Sequence, residues 1–234
     1  MGFLLLIETL MLLSCAGVSL FYREDDLMSF LQSGGITAFV GFLFLLIGRG
    51  AEKQLGRRDG YVIVTVAWIA FSLFGMLPFW LSGYIPSVTN AFFETMSGFS
   101  STGATILDDI ERLPHGLLFW RSMTQWIGGL GIVFFTIAVL PIFGVGGIQV
   151  FAAEASGPTH DKVHPRIGIT AKWIWGIYAG LTGALIILLM IGGMSPFDSV
   201  CHAFTTTGTG GFSTKQASIE YYHSPYIEYV ISIF

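Results

Sequence analysis

Two short polar stretches decide the fold of this 234-residue chain. The first reads SGFSSTGAT, residues 97–105, and the second reads TTTGTGGFST, residues 205–214. Both consist mainly of Ser, Thr and Gly, with few bulky side chains. Each follows a semi-polar segment of about two to three helical turns that begins at a candidate N-cap, Asn90 or Asp198. The chain therefore contains two copies of one design.

The sequence around these stretches is apolar enough to cross a membrane. Uncharged runs of at least ~20 residues, the length that spans a hydrocarbon core, cover residues 27–48, 60–93, 122–153 and 173–197. A further span covers residues 4–22 and is interrupted at Glu8, whose carboxylate we expect to reach the interface. The sequence therefore predicts an all-α integral membrane protein that crosses the bilayer several times.

Composition excludes several other classes of protein. Hydrophobic residues make up 53% of the chain and charged residues 11%, against roughly a quarter charged in a soluble domain. The net charge of −4 has the wrong sign for a nucleic-acid partner. Cys15 and Cys201 are too far apart for a disulfide framework or a zinc spacing, so we expect both to be packing residues.

Other candidate chemical sites have simpler explanations. His160 and His164 are four residues apart, but they have no further ligand set, so we expect no zinc site. The segment GVGG, residues 144–147, follows no strand and precedes no Lys-Ser/Thr pair, which favours a helix bend over a phosphate loop. Because no nucleophile, base and orienting acid are seen to converge, we expect no enzymatic activity.

The distribution of charge predicts the orientation in the membrane. Basic residues crowd two connections, which the positive-inside rule places in the cytoplasm: Arg49, Lys53, Arg57 and Arg58 after the second span, and Lys162, Arg166 and Lys172 after the fourth. The alternate connections carry the acidic residues Glu24, Asp25, Asp26, Asp108, Asp109, Glu111 and Glu220. The N-terminus is therefore expected in the cytoplasm.

The two polar stretches follow spans that run outward, and a span returns inward after the first. The repeating unit is helix, re-entrant pore helix, filter loop, helix, in parallel orientation, which resembles the subunits of potassium channels. Non-helical backbone is tolerated at membrane depth only where it is buried in protein or lines an aqueous path. Carbonyl and hydroxyl oxygens of Ser, Thr and Gly meet this condition when they replace the water around a cation. A polar turn is the simpler explanation of one such stretch, but two copies in register favour a cation filter.

Four motifs carry a resemblance to a known family. They are SGFSSTGAT at 97–105, WIGGLGI at 126–132, LPIFGVGG at 140–147 and GGFST at 210–214. Over nearly its whole length the chain resembles the TrkH/KtrB/HKT superfamily of cation transporters, and within it the TrkH potassium-uptake subunits. The resemblance implies potassium uptake across the bacterial inner membrane through four repeats around one filter. K⁺ would be the transported ion, without a covalent cofactor.

The resemblance also implies how the chain is divided. Residues 1–49 would form two extra helices, residues 50–153 the first repeat, and residues 154–234 the second repeat. The run at 226–234 is too short for the inner helix of that second repeat, so we expect the N-terminal half of a larger transporter. The family further implies a homodimer and a cytosolic nucleotide-binding regulatory subunit of the TrkA type.

The filter residues follow from the same resemblance. The first strand would consist of Ser101, Thr102, Gly103 and Ala104, and the second of Thr209, Gly210, Gly211 and Phe212. Potassium would be bound through Thr102, Gly103, Gly210 and Gly211. Two alignments of the loops remain open. Counting from the caps pairs Gly103 with Gly211, whereas matching the Thr-Gly dipeptides pairs it with Gly210. The superfamily's glycine directly before Phe favours Gly211.

Two charged residues and the function each allow more than one interpretation. Arg121 lies near the outer end of the fourth span and is either functional, tied to a pore helix or directed to the interface. Glu94 on the first pore helix either attracts cations or accepts hydrogen bonds from nearby backbone amides.

Two alternatives to potassium uptake remain. One is a Na⁺-permeable or ion-coupled transporter of the same fold, and the other is a non-transporting membrane scaffold or sensor.

Overall fold

The computed structural model describes residues 1–50, 57–139 and 164–234. These residues form helices and connecting loops without strands, in agreement with the all-α prediction. The α-helices are α1 Gly2–Tyr22, α2 Leu27–Ile47, α3 Arg57–Gly75, α4 Leu77–Leu81, α5 Val88–Phe99, α6 His115–Val139, α7 His164–Ile191, α8 Pro196–Thr207 and α9 Pro225–Ile233. Short 3₁₀ segments cover Gly48–Gly50 and Ser218–Tyr222.

Several helices are long enough to cross a membrane. Within the described ranges, four segments also meet the requirement of apolarity: Gly2–Tyr22, Leu27–Ile47, Val64–Leu81 and Lys172–Ile191. Helix α6 has 25 residues, and at 1.5 Å per residue its length of about 37 Å exceeds a hydrocarbon core of ~30 Å. These five segments correspond to the five spans expected from the sequence.

The bounds of two spans differ from the predicted ones. The third is not continuous, because α3 ends at Gly75 and α4 begins at Leu77. Pro78 in the first turn of α4 has no N–H to donate to the Phe74 carbonyl, and the Gly75 carbonyl accepts from Trp120 Nε1 at 2.8 Å. Helix α6 begins at His115 rather than at Ser122. The rest of that predicted span, the segment 144–147 and His160 lie outside the described residues.

Each pore-helix segment packs between longer helices. Helix α5 contacts α3 and α6, and α8 contacts α6 and α7, while α1 and α2 pair with each other and α1 also contacts α3 and α6. A large apolar core joins α1, α2, α4, α5 and α6. Its buried members include Leu12, Phe30, Phe79, Phe99 and Trp120. A second core joins α7, α8 and α9 through Leu185, Leu189, Met194, Ala203 and Ile227. Helix α6 thus contacts both pore helices.

Glu8 does not reach the interface, and that expectation was wrong. Its side chain is 0% exposed inside the protein. Leu5 and Leu12, which lie on the same face of α1 as Glu8, are also buried. The face of α1 that carries the carboxyl therefore packs against other helices rather than toward a membrane surface.

Candidate ion filter

The two pore helices are built alike from their first residue. Helices α5 and α8 each contain 12 residues and begin after a serine N-cap. Ser87 Oγ accepts from the amide of Asn90, and Ser195 Oγ accepts from the amide of Asp198. Asn90 and Asp198 are thus the capped residues, and the prediction that they are the caps was wrong. Because the cap moves by three positions in both copies, the alignment from the caps is unchanged.

Each loop leaves its pore helix through the same three backbone hydrogen bonds. Their donor–acceptor distances are 2.8 to 3.0 Å. In the first loop Ser100 donates to Met96, Ser101 to Gly98 and Thr102 to Ser97, and in the second Gly208 donates to Phe204, Thr209 to Thr206 and Gly210 to Thr205. These bonds close the helix ends identically, so each polar stretch starts in the same direction relative to its helix.

The backbone of the two loops turns in the same way at equivalent positions. Ser101 and Thr209 have φ values of 53° and 54°, and Gly103 and Gly211 have φ values of 75° and 81°. A positive φ is costly for a residue with a β-carbon, which explains the glycine at the second of these positions. Gly103 and Gly211 are separated by the same 108 positions as the caps Ser87 and Ser195. The backbone therefore pairs Gly103 with Gly211, as the cap count does.

The loops contact each other at their glycines. A β-carbon on Gly103 would overlap the carbonyl oxygen of Gly210 in the other loop. At Gly211 the same construction meets no heavy atom within 4 Å. Gly103 is thus required both by its backbone angle and by the neighbouring loop, whereas Gly211 is required by its backbone angle alone.

Arg121 on α6 connects the first pore helix to the second loop. Its side chain is 3% exposed, and its Nε donates to Glu94 Oε1 on α5 at 2.7 Å. Its Nη1 donates to the carbonyl of Ser213 at 2.9 Å, and the guanidinium lies 3.6 Å from the centroid of the Phe212 ring. The tie between a pore helix and its neighbour is therefore the role that the geometry supports. A planar guanidinium with donors in fixed directions suits such a bridge.

Glu94 and His202 hold their own loops from equivalent positions of the two pore helices. The Glu94 carboxylate accepts from the Thr105 hydroxyl at 2.9 Å and from the Ile106 amide at 3.0 Å. His202 Nε2 lies 2.9 Å from Ser213 Oγ, and its Nδ1 lies 2.8 Å from the Asp198 carbonyl. Because a carbonyl only accepts, the neutral His202 ring carries its proton on Nδ1 and accepts from Ser213.

Gln125, which lies one turn after Arg121 on α6, also supports the second loop. Its side chain is 0% exposed, and its Oε1 accepts from the Phe212 amide at 3.0 Å. A β-carbon on Gly210 would overlap this amide group. Two consecutive turns of α6 therefore hold Phe212 and Ser213 in place.

An acidic cavity lies beside the segment that leaves the first loop. Its volume is about 670 Å³, and its lining includes Asp25, Tyr84, Asp108, Asp109 and Arg112. The Tyr84 hydroxyl donates to Asp25 Oδ1 at 3.3 Å. Burial and then the Asp25 carboxylate raise the pKa of Tyr84, so the phenol keeps its proton. The excess of carboxylates gives this cavity a negative potential that attracts cations.

Comparison with known proteins identifies the family. The sequence model of the TrkH family, described as a cation transport protein, matches residues 27–234. The chain belongs to the TrkH family. The description as a cation transport protein agrees with the expectation that the chain is not an enzyme. A Trk system potassium uptake protein TrkH from Halomonas elongata is 42% identical over 236 residues, which cover 100% of this chain and 49% of that relative.

Other relatives agree in sequence and structure. TrkH of Escherichia coli K12 is 43% identical over 219 residues, covering 93% of this chain and 45% of that protein. The crystal structure of the potassium transporter TrkH from Vibrio parahaemolyticus has a TM-score of 0.87 at 36% identity, over 99% of this chain and 47% of that one. The chain spans about half the length of the TrkH relatives it matches.

The predicted filter residues of this TrkH-family chain differ in their surroundings. Thr102, Ala104, Thr209 and Gly211 are exposed, Ser101 and Gly103 are half-buried, and Gly210 and Phe212 are buried. The Ala104 carbonyl accepts from Ser97 Oγ at 2.6 Å, and the Phe212 ring packs under Arg121. In both loops the exposed residues thus lie at or directly beside the positive-φ glycines Gly103 and Gly211, or one position before Gly210.

Sequence reasoning missed Gln125 and His202 as part of this TrkH-family site. A signal for Gln125 existed, because it follows Arg121 by four residues and so shares one face of a largely apolar helix. His202 was not separable from an ordinary buried histidine until the loops were aligned. Once Gly103 is matched with Gly211, His202 falls opposite Glu94.

Proposed function

We propose that this chain supplies two strands of a four-strand potassium filter, residues 101–104 and 209–212, in a protein that imports K⁺. The observation that carries the proposal is the pair of loops with one backbone conformation, which meet at Gly103 and Gly210 and share one buried brace. A membrane scaffold has no need for two such loops in contact. The names of the relatives, Trk system potassium uptake proteins, support K⁺ as the ion.

In this proposal the ion is bound by backbone oxygens. The carbonyls of Thr102, Gly103, Gly210 and Gly211 replace part of the hydration shell of K⁺, and two further strands complete the ring. The oxygens cost little reorganisation when the ion arrives, because Arg121, Gln125 and Glu94 already hold the loops. Selection between K⁺ and Na⁺ then depends on how firmly these positions are kept.

The arrangement in the cell is part of the same proposal. Residues 1–49 form two additional helices, residues 50–153 the first repeat and residues 154–234 the second. The protein lies in a bacterial inner membrane, with its N-terminus on the cytoplasmic side. The proposed partners are a second copy of the protein and a TrkA-type cytosolic nucleotide-binding subunit. The word system in the names of the relatives supports a multi-component assembly.

Uptake by the full-length protein tests the function. In cells that depend on it for potassium, we expect Rb⁺ and K⁺ uptake well above that of empty cells, and little Na⁺ uptake. Gly103→Ser should lower the K⁺/Na⁺ ratio while the protein still inserts in the membrane. Equal K⁺ and Na⁺ uptake by the unmodified protein would favour a Na⁺-permeable pore, and no uptake of either ion would favour a scaffold.

Labelling of introduced cysteines tests the orientation. A membrane-impermeant thiol reagent applied to intact cells should modify a cysteine at Asp109, which is exposed, and spare one at Gln54. The reverse pattern would place the acidic cavity on the cytoplasmic side and invert the proposed direction of the pore.

A further inference from the structure

Among the residues that the structure describes, Glu8 and Glu94 are the two fully buried glutamates, and their surroundings differ completely. Glu94 is 1% exposed and is paired with Arg121, Thr105 and the Ile106 amide. Glu8 is 0% exposed, and neither of its carboxyl oxygens has a hydrogen-bond partner among the described residues. A buried ionised carboxylate without compensation is very unfavourable. The charge of Glu8 must therefore be neutralised, either by a bound metal ion or by a proton.

Glu8 Oε1 lies near Gly75 and near carbon atoms of Thr95 and Phe99. The point where a β-carbon on Gly75 would lie is 3.0 Å from Glu8 Oε1, from Phe99 Cε2 and from Thr95 Cγ2. The carboxyl therefore lies at the break between α3 and α4 and against the last turns of α5. A metal ion needs several further oxygen ligands, and a ring carbon and a methyl group supply none. A proton needs only the carboxylate oxygen itself.

The helices packed on α1 bring no free charge to this place. Helix α2, α4 and residues 64–75 of α3 contain no titratable side chain. Of the described titratable groups on α5 and α6, Glu94 and Arg121 bind each other, and His115 pairs with Glu24 at the start of α6. On α1 itself, Cys15 and Tyr22 lie about two and about four turns further along. Among the described side chains of these helices, no cation is therefore free to neutralise Glu8.

We propose that Glu8 is a proton-binding site whose bound proton keeps the first pore helix in place. In the protonated form the carboxyl is neutral and tolerates its apolar surroundings. When the proton leaves, the negative charge lies beside the C-terminal end of α5, where the helix carbonyls already carry a partial negative charge. The resulting repulsion and hydration move Thr95 and Phe99, which lie in the last turns of the pore helix that precedes the strand at 101–104. Proton binding stands by itself, whereas its effect on transport rests on the proposed function.

Infrared spectroscopy of the full-length protein in lipid tests proton binding. At neutral pH we expect the C=O stretching band of a protonated carboxylic acid, and Glu8→Gln should remove it. Glu94→Gln is the matched control and should leave this band intact, because the Glu94 carboxylate forms an ion pair with Arg121, whereas Glu8 has no such partner. Should Glu8→Gln fold poorly, Glu8→Asp should shift the band instead. A spectrum without this band, or a band unchanged by both Glu8 variants, would overturn the proposal.

The pH profile of transport tests the coupling. The neutral form stabilises the pore helix, so this stabilisation is lost as the pH rises through the titration of Glu8. K⁺ uptake by the unmodified protein should therefore fall at alkaline pH, and Glu8→Gln should retain its neutral-pH rate there. Superimposable profiles of the two proteins would overturn the coupling. Absence of K⁺ uptake with the infrared band present would instead refute the proposed function and leave the proton site standing.

Discussion

The two pore loops have the same backbone conformation but are fastened to different parts of the molecule. The first is held mainly by its own pore helix, through Glu94 to Thr105 and Ile106 and through Ser97 to the Ala104 carbonyl. The second is held at Ser213 by its own His202, and in addition by two residues of α6. Helix α6 follows the first loop in the chain. The second loop therefore depends on the first half of the described structure, and the two copies are not independent units.

The difference also concerns charge. At equivalent positions the first pore helix has a buried carboxylate and the second has a histidine, and Arg121 neutralises the first while it donates to the loop of the second. One cation thus links the two copies. Two identical carboxylates around one arginine would leave a negative charge buried, so replacing one carboxylate by an imidazole balances the site.

The largest expected effect comes from removing the shared brace. Arg121→Gln leaves the Glu94 carboxylate buried without its partner, which costs about 3–5 kcal/mol in the free energy of unfolding. Both loops should be affected, whereas His202→Gln should disturb only the second. Denaturation of the purified full-length protein in detergent measures the difference.

A double variant separates charge from contact at the same site. Glu94→Gln combined with Arg121→Gln leaves no unpaired charge and should recover part of the stability lost in Arg121→Gln alone. If Arg121→Gln proved no more destabilising than His202→Gln, the idea of a brace common to both loops would be wrong.

The next effect distinguishes the two filter glycines. Gly103→Ala adds both strain at positive φ and an overlap with the Gly210 carbonyl, whereas Gly211→Ala adds only the strain, about 1–2 kcal/mol. At equal membrane abundance the K⁺/Na⁺ uptake ratio should change more in Gly103→Ala. An equal change in both variants would show that the contact between the loops does not limit selectivity.

A neighbouring substitution separates loss of the filter from loss of the fold. A β-carbon on Gly210 meets the buried Gln125 amide, so Gly210→Ala should mainly lower the amount of folded protein. Gly211→Ala should instead change the K⁺/Na⁺ ratio, because loss of folded protein scales both fluxes together. A larger change of ratio in Gly210→Ala would restore the alternative alignment from the Thr-Gly dipeptides.

The smallest effects concern single hydrogen bonds that hold equivalent residues, Ala104 and Phe212. Gln125→Leu leaves the buried Phe212 amide without an acceptor and should cost about 1–3 kcal/mol in unfolding free energy. Ser97→Ala removes the donor to the partly solvated Ala104 carbonyl and should cost about 1 kcal/mol. Chemical denaturation of both variants under one condition provides the comparison, and the reverse order would contradict the stronger dependence of the second loop on α6.

The sequence was sufficient for the spans, the two loops and their relationship, because hydropathy and a repeated Ser/Thr/Gly pattern depend on local composition. The break at Gly75 was missed because hydropathy looks the same on both sides of a bend, although Pro78 is a sequence signal for one. Sequence reasoning also misplaced Glu8: a helix that is apolar on all sides does not indicate which face packs against protein. The partners of Arg121 and Gln125 are distant in the chain, 92 and 87 residues away for Ser213 and Phe212, so only the folded structure brings them together.

The position of bound ions in the full-length protein tests the central claim most directly. Crystals grown with Rb⁺, which replaces K⁺ and scatters anomalously, would locate the ion relative to both loops. If the loops are strands of one filter, an anomalous peak should lie on a common axis within ligand distance of the carbonyls of Gly103 and Gly211. A fully occupied Rb⁺ pathway that passes elsewhere, with neither glycine carbonyl near a peak, would contradict the account.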